Sequence, residues 1–150
     1  MTDHVRTQIR DKVVDLLDNL TTTGTRCYAA RPRTRPLRTL PALIVYTNGE
    51  EINITAGQRG SRRLERPLDL VVEGYVAETS DPDKTLDKIN AEVEVAMAAD
   101  PTLGGLAKDL YIQRLDKEQE DDAEKPTWVI RMNFYCEYHT RETAPTAALA

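Results

Sequence analysis

Eight arginines fall into two tight groups, Arg31, Arg33, Arg35 and Arg38 in the first and Arg59, Arg62, Arg63 and Arg66 in the second. A guanidinium presents a planar fork of donors that pairs bidentately with a carboxylate or a phosphate. These groups are therefore suited to gripping an acidic neighbour or a passing nucleic-acid backbone. Few aromatic residues stand beside them, so stacking on bases is not indicated. Acids that could answer them occur in the same chain: Glu50 and Glu51 lie between the two groups, and Asp116 to Lys125 forms an acidic run that includes Glu118, Asp121 and Asp122.

Other chemistry lacks its residues. There is no G-x-G-x-x-G and no Gly-Lys-Ser/Thr after a strand, so the common nucleotide cradles are missing. The only histidines, His4 and His139, stand at opposite ends of the chain and read as surface residues, since a triad or metal role needs partners that converge on them. The run 116–125 lacks the central glycine and ligand spacing of a calcium loop and reads as a solvated connection. Cys27 and Cys136 lie in apolar segments without a close-spaced mate, which predicts two buried free thiols. No cofactor and no catalytic residue is indicated.

The chain has 150 residues, 40% hydrophobic and 30% charged, which fits one folded domain. No apolar run approaches the roughly 20 residues that cross a bilayer, and the first residues do not resemble a signal peptide, so a cytoplasmic protein is expected. A net charge of −5 argues against general nucleic-acid binding. That charge is unevenly spread. Residues 1–66 carry twelve Lys/Arg against seven Asp/Glu, and residues 67–150 carry eight against eighteen. Flanks of opposite sign suit head-to-tail contact between identical copies.

The elements that must position these residues follow from periodicity. Val5, Ile9, Val13, Leu16, Leu17 and Leu20 predict a helix over about 3–20, with Asp3 as N-cap and Gly24 as stop. Arg26 to Ala30 reads as a short strand, followed by a Pro-containing loop. Pro41 to Tyr46, closed by Asn48-Gly49, and Glu51 to Ile54 read as strands in a pattern that permits a hairpin. From Leu64 to Val76 the alternation predicts one long strand, kinked or at a sheet edge near Pro67. Leu86, Ile89, Val93 and Met97 define a second helix that ends before Asp100-Pro101. A turn at Leu103–Leu106, a strand around Leu110–Ile112 and a strong strand from Thr127 to His139 complete the domain, whose core face is Trp128, Ile130, Met132, Phe134, Cys136 and Tyr138. The order predicts an α+β fold: a mainly antiparallel or mixed sheet of about five strands with two helices on one face, spanning 1–140, and a loose tail at 141–150. Thirteen extended residues reach about 43 Å, while a compact domain of this size measures roughly 38 Å across. Part of the sheet should therefore bend or project.

This layout resembles the tail terminator proteins of long-tailed bacteriophages, the minor tail protein U type. The likeness rests on the opening helix Val5 to Leu20, on Leu40-Pro41-Ala42-Leu43-Ile44-Val45-Tyr46-Thr47 with Gly49-Glu50-Glu51, and on the strand Leu68 to Val76. It continues through the helix Leu86 to Met97, the segment Asp100 to Leu106, and the strand Trp128 to Tyr138. The resemblance implies a non-enzymatic homohexameric ring of the virion, assembled in the host cytoplasm. Such a ring sits on the last ring of the tail tube, stops tube growth, meets the head or neck connector and lets genomic DNA pass. It also implies that the loop from Tyr46 to Arg63 faces the lumen or a ring face. The family has no sharp residue signature, so no individual role is carried over. Arg31, Arg33, Arg35, Glu50, Glu51, Arg59, Arg62, Arg63, Arg66, Glu118, Asp121 and Asp122 are the candidate inter-subunit or lumen contacts on charge alone. The alternatives are another ring component of the phage neck, such as a head-completion or tail-tube-related protein, and a small cytoplasmic ligand-binding protein.

Overall fold

The computed structural model describes residues 2–32, 39–77, 80–120 and 126–150. Helix α1 runs Val5–Leu16 and buries Val5, Ile9 and Val13. It is shorter than the predicted 3–20. His4, not Asp3, is the N-cap, its Nδ1 accepting from the Arg6 amide at 3.1 Å. After Leu16 the chain turns through Asn19, which adopts φ 66 and donates its amide to the Gly24 carbonyl at 2.8 Å; asparagine tolerates that left-handed conformation better than most residues. Helix α2 spans Pro82–Ala98, capped by Asp81 on the Lys84 amide, and buries the predicted stripe Leu86, Ile89, Val93 and Met97. A single 3-10 turn follows at Leu103–Gly105.

Six strands form one mixed sheet: β1 Cys27–Ala29, β2 Ala42–Glu50, β3 Asn53–Ala56, β4 Arg63–Val76, β5 Asp109–Glu120 and β6 Thr127–Arg141. The order is β1-β2-β4-β6-β5, with β3 also on β4. Among the described residues only the β1–β2 pairing is parallel. The α+β class is as the sequence predicts; several details are not.

Asn48-Gly49 makes no hairpin. Both residues lie inside β2, at a shift in register between Thr47 and Glu50, and β2 and β3 pair with β4, not with each other. Glu50 faces Leu68 and Asn53 faces Glu65, so β3 continues β2 along the same side of β4. The true turn lies between Ala56 and Arg63. There Gly57 has φ +93, and a Cβ on it would come within 2.7 Å of the Ser61 carbonyl oxygen. Pro67 accounts for the interruption between β2 and β3: it faces Glu137 in an unbroken β4–β6 ladder, while the other side of β4 has no partner between Glu50 and Asn53. Proline cannot donate to a ladder, so the gap falls where a bond would be missing. The acidic run also begins as sheet, because β5 extends to Glu120.

Both helices cover the face that carries Leu43, Val45, Leu68, Leu70, Val72, Ile130, Met132, Phe134, Cys136 and Tyr138, all buried in one cluster, with Trp128 packed against it half-buried. Cys27 and Cys136 are buried and free. Gly74 lets Ile89 of α2 pack close against the sheet: a Cβ there would lie 2.9 Å from Ile89 Cγ2 and 3.2 Å from Ile130 Cγ2. The opposite face holds a smaller buried cluster, Ile44, Tyr46, Val71, Tyr75 and Val129, beneath Tyr28, Ala30 and Leu40. Residues 141–150 lie along the domain. Pro145 accepts from the Val5 amide at 3.0 Å, Thr146 from Gln8 Nε2 at 2.9 Å, and Leu149 donates to His139 at 2.9 Å.

Candidate assembly surfaces

Glu50 closes β2 opposite Leu68, so its side chain turns toward the helices. It is nearly buried. Its Oε1 accepts from Tyr138 Oη at 3.0 Å and from Arg66 Nη1 at 3.2 Å, and pairs with Arg6 from the first turn of α1. Arg66 is itself 7% exposed, donates Nε to Thr140 Oγ1 at 3.1 Å and lies 5.8 Å from the centre of the Tyr138 ring. Burial, and then the bond to Glu50, push the Tyr138 hydroxyl well above its ordinary range. Glu50 and Arg66 are thus inward-facing strand residues that tie α1 to β2, β4 and β6. Arg66 is a candidate contact on charge alone, but β4 begins at Arg63 and alternation carries Arg66 inward, away from any neighbouring copy.

On the uncovered face the polar side chains pair across strands in rungs. Glu73 is wholly buried and accepts from Tyr46 Oη at 2.6 Å, from Tyr75 Oη and from Arg131 Nε at 2.9 Å. Arg131 reaches on to Glu118 on β5 at 2.6 Å. Burial and the adjoining Glu73 carboxylate raise the Tyr46 hydroxyl to about 12. In the next rung Asp69 accepts from Asn133 at 3.1 Å and Asn48 at 3.3 Å. Beyond it His139 stands between Arg63, whose Nε donates to His139 Nδ1 at 2.9 Å, and Glu137, 3.0 Å from Nε2. That geometry suits the neutral tautomer with its proton on Nε2. The bond from Tyr135 Oη, and then the one from His139, hold the Glu137 carboxyl below its ordinary range. His139 is therefore built into a ladder and His4 into a helix cap; neither is a plain surface histidine.

The remaining predicted residues lie apart from these rungs. Arg31 is exposed, donating to the Thr47 carbonyl at 2.7 Å and Asn48 Oδ1 at 3.2 Å, over the Tyr46 ring. Arg59 is exposed in the β3–β4 turn, Arg62 stands 3.7 Å from Glu142, and Glu51 is exposed at the break before β3. Arg33, Arg35, Arg38, Asp121 and Asp122 lie outside the described residues. Of the predicted residues of opposite sign, Glu50 and Arg66 are brought together, while the ends of the sheet differ in charge. Arg63 faces Arg141 at one end of β6 while Glu118 faces Val129 near the other. Those positions are twelve residues apart on β6, about 40 Å of extended strand.

Among the described residues, no three His, Cys, Asp or Glu side chains form a group that could hold a metal ion. A cleft of about 180 Å³ between α2 and β5–β6 is lined mainly by Met97, Leu110, Ile112 and Phe134. A wider hollow of about 420 Å³ opens beside Pro67, where Gly49, Glu50, Glu51 and Asp69 meet Gln113 and Tyr135.

The family described as phage minor tail protein U matches residues 4–138. Among solved structures the chain is similar to one in the virion of a native gene transfer agent particle, at 17% identity, with 89% of this chain and 92% of that chain covered and a TM-score of 0.33. No curated protein matches the chain.

Proposed function

We propose that this chain, which belongs to the phage minor tail protein U family, is a tail terminator. Membership makes it a structural protein of the phage tail or neck. In the finer reading, identical copies close into a ring, six by resemblance to other terminators, on the last ring of the tail tube. The ring ends tube growth, offers its far side to the head or neck connector, and leaves a lumen for the genome. It performs no catalysis, uses no cofactor and joins the virion after synthesis in the host cytoplasm.

The family match carries this reading, because it spans every element from α1 to β6 and is not confined to one motif. The distribution of charge supports it. A closed ring of one chain needs heterologous contacts, in which one surface meets a different surface of the next copy, and the basic β3–β4 turn and the acidic end of β5 are two such surfaces. Multi-angle light scattering of the purified protein, alone and mixed with the tail-tube protein of the same phage, tests the proposal. The expected result is a multimer of defined mass in at least the mixture. A monomer in both samples, with no association with tubes, contradicts it.

A further inference from the structure

Arg59 is the one arginine among the described residues that makes no hydrogen bond or ion pair. The others pair with a carboxylate or donate to a carbonyl or imidazole acceptor. Arg59 is exposed in the β3–β4 turn, between Gly57 at φ +93 and Gly60 at φ +88. The left-handed backbone at both glycines makes the turn tight, and its arginine reaches solvent with no carboxylate among the described residues to meet.

The uncovered face of the sheet offers what Arg59 lacks. Pro67 and Asp69 alternate with the core residue Leu68, and Tyr135 with Phe134 and Cys136, so the hollow of about 420 Å³ that they line opens on that face. Glu51 turns to the same side, since Glu50 before it turns toward the helices. Gly49 keeps the hollow open, because a Cβ on it would meet nothing within 4 Å. The carboxylates here have no cation. Glu51 and Glu65 make no hydrogen bond or ion pair among the described residues, and Asp69 accepts only from the side-chain amides of Asn48 and Asn133. Tyr135 supplies an aromatic wall, stacked at 5.0 Å on Tyr111, which is 47% exposed. The bases on either side, Arg31 at Asn48 and Arg63 before Glu65, are held by bonds of their own.

We propose that Arg59 of one copy enters this hollow on the next copy, its guanidinium against the Tyr135 ring and between the carboxylates of Glu51 and Asp69. A guanidinium serves all three partners at once, since it donates in its plane and is attracted through its face to an aromatic ring. The contact is heterologous. The end of one sheet meets the face of another, so each copy keeps a free turn and a free hollow for the copies on either side, as a ring requires. The proposal rests on the ring reading above and seats the basic turn that reading invokes. Farther along the same face, Asp116, Glu118 and Glu120 of β5 outnumber Arg114 and Arg131, so the surface around the hollow also attracts the rest of that turn.

Charge exchange tests this contact, with light scattering of the protein mixed with tail-tube protein as the readout. Arg59→Glu and, separately, Glu51→Arg should each lower the multimeric fraction by about tenfold. The double variant Arg59→Glu, Glu51→Arg should recover most of it, because the pair is restored with its signs exchanged. Both side chains are exposed, so the fold survives each change, and recovery in the double variant separates a lost contact from a damaged subunit. Either single variant forming multimers like the wild type, or a double variant no better than the singles, overturns the contact and leaves the terminator reading standing. A wild-type chain that stays monomeric with tail-tube protein overturns both.

Discussion

Glu73 is the residue that the alternation of its strand describes least well. It reads as a solvent-facing acid, yet Val71 and Tyr75 flank it on the same face and Arg131 stands directly opposite, so it is enclosed. Periodicity assigns a side to a residue, not what the neighbouring strand lays over it. The buried thiols were legible because apolar residues surround both cysteines, whereas the Glu50–Arg66 pair was not, since it depends on where β2 ends. Glu50→Ala would leave Arg66 buried without its counter-charge, and urea unfolding should show a loss of about 3 kcal/mol, as for other broken buried pairs. The Tyr46 hydroxyl, raised to about 12, makes alkaline stability testable. Its folded value exceeds the ordinary 10, so its contribution is whole below pH 10 and is lost as pH climbs toward 12. The loss of urea midpoint between pH 9 and pH 11 should be smaller in Tyr46→Phe than in the wild type. Burial also raises both cysteine thiols to about 12, and iodoacetamide at pH 8 should label neither until the protein is unfolded.

At the scale of elements, α2 and β6 were legible because each buries mainly one face and so writes its period into the sequence, and β4 was legible from the alternation of Leu64, Leu68, Leu70 and Val72 although both its faces are buried from Leu70 on. The β2–β3 line was not. Asn48-Gly49 carries the chemistry of a tight turn, but no two-residue signal reveals that Pro67 on another strand denies the partner needed at Glu51. Strand β5 was legible only at its start, around Leu110–Ile112; the rest escaped because, as an edge with mostly exposed side chains, it has no buried period, and its acids look like a loop. The helix–sheet contact at Gly74 offers a test of the packing. Gly74→Ala sets a methyl against Ile89 and Ile130 in a closed core. Overpacking of this kind costs about 1–3 kcal/mol, which should appear as a lower denaturation midpoint with an unchanged slope.

For the whole molecule, charge is separated along the strands and apolar side chains mark edges that nothing among the described residues covers. The imbalance between the two halves of the sequence was legible; its conversion into opposite ends of one sheet was not, because that depends on the long β4–β6 register. A protein arranged in this way should gain from its own copies what it lacks alone. Electron microscopy of tail tubes polymerising with and without the purified protein measures that most directly. The account predicts a ring at one end of each tube and growth that stops once rings are present. Tubes of unchanged length with bare ends, at protein concentrations well above that of the tube ends, would contradict it.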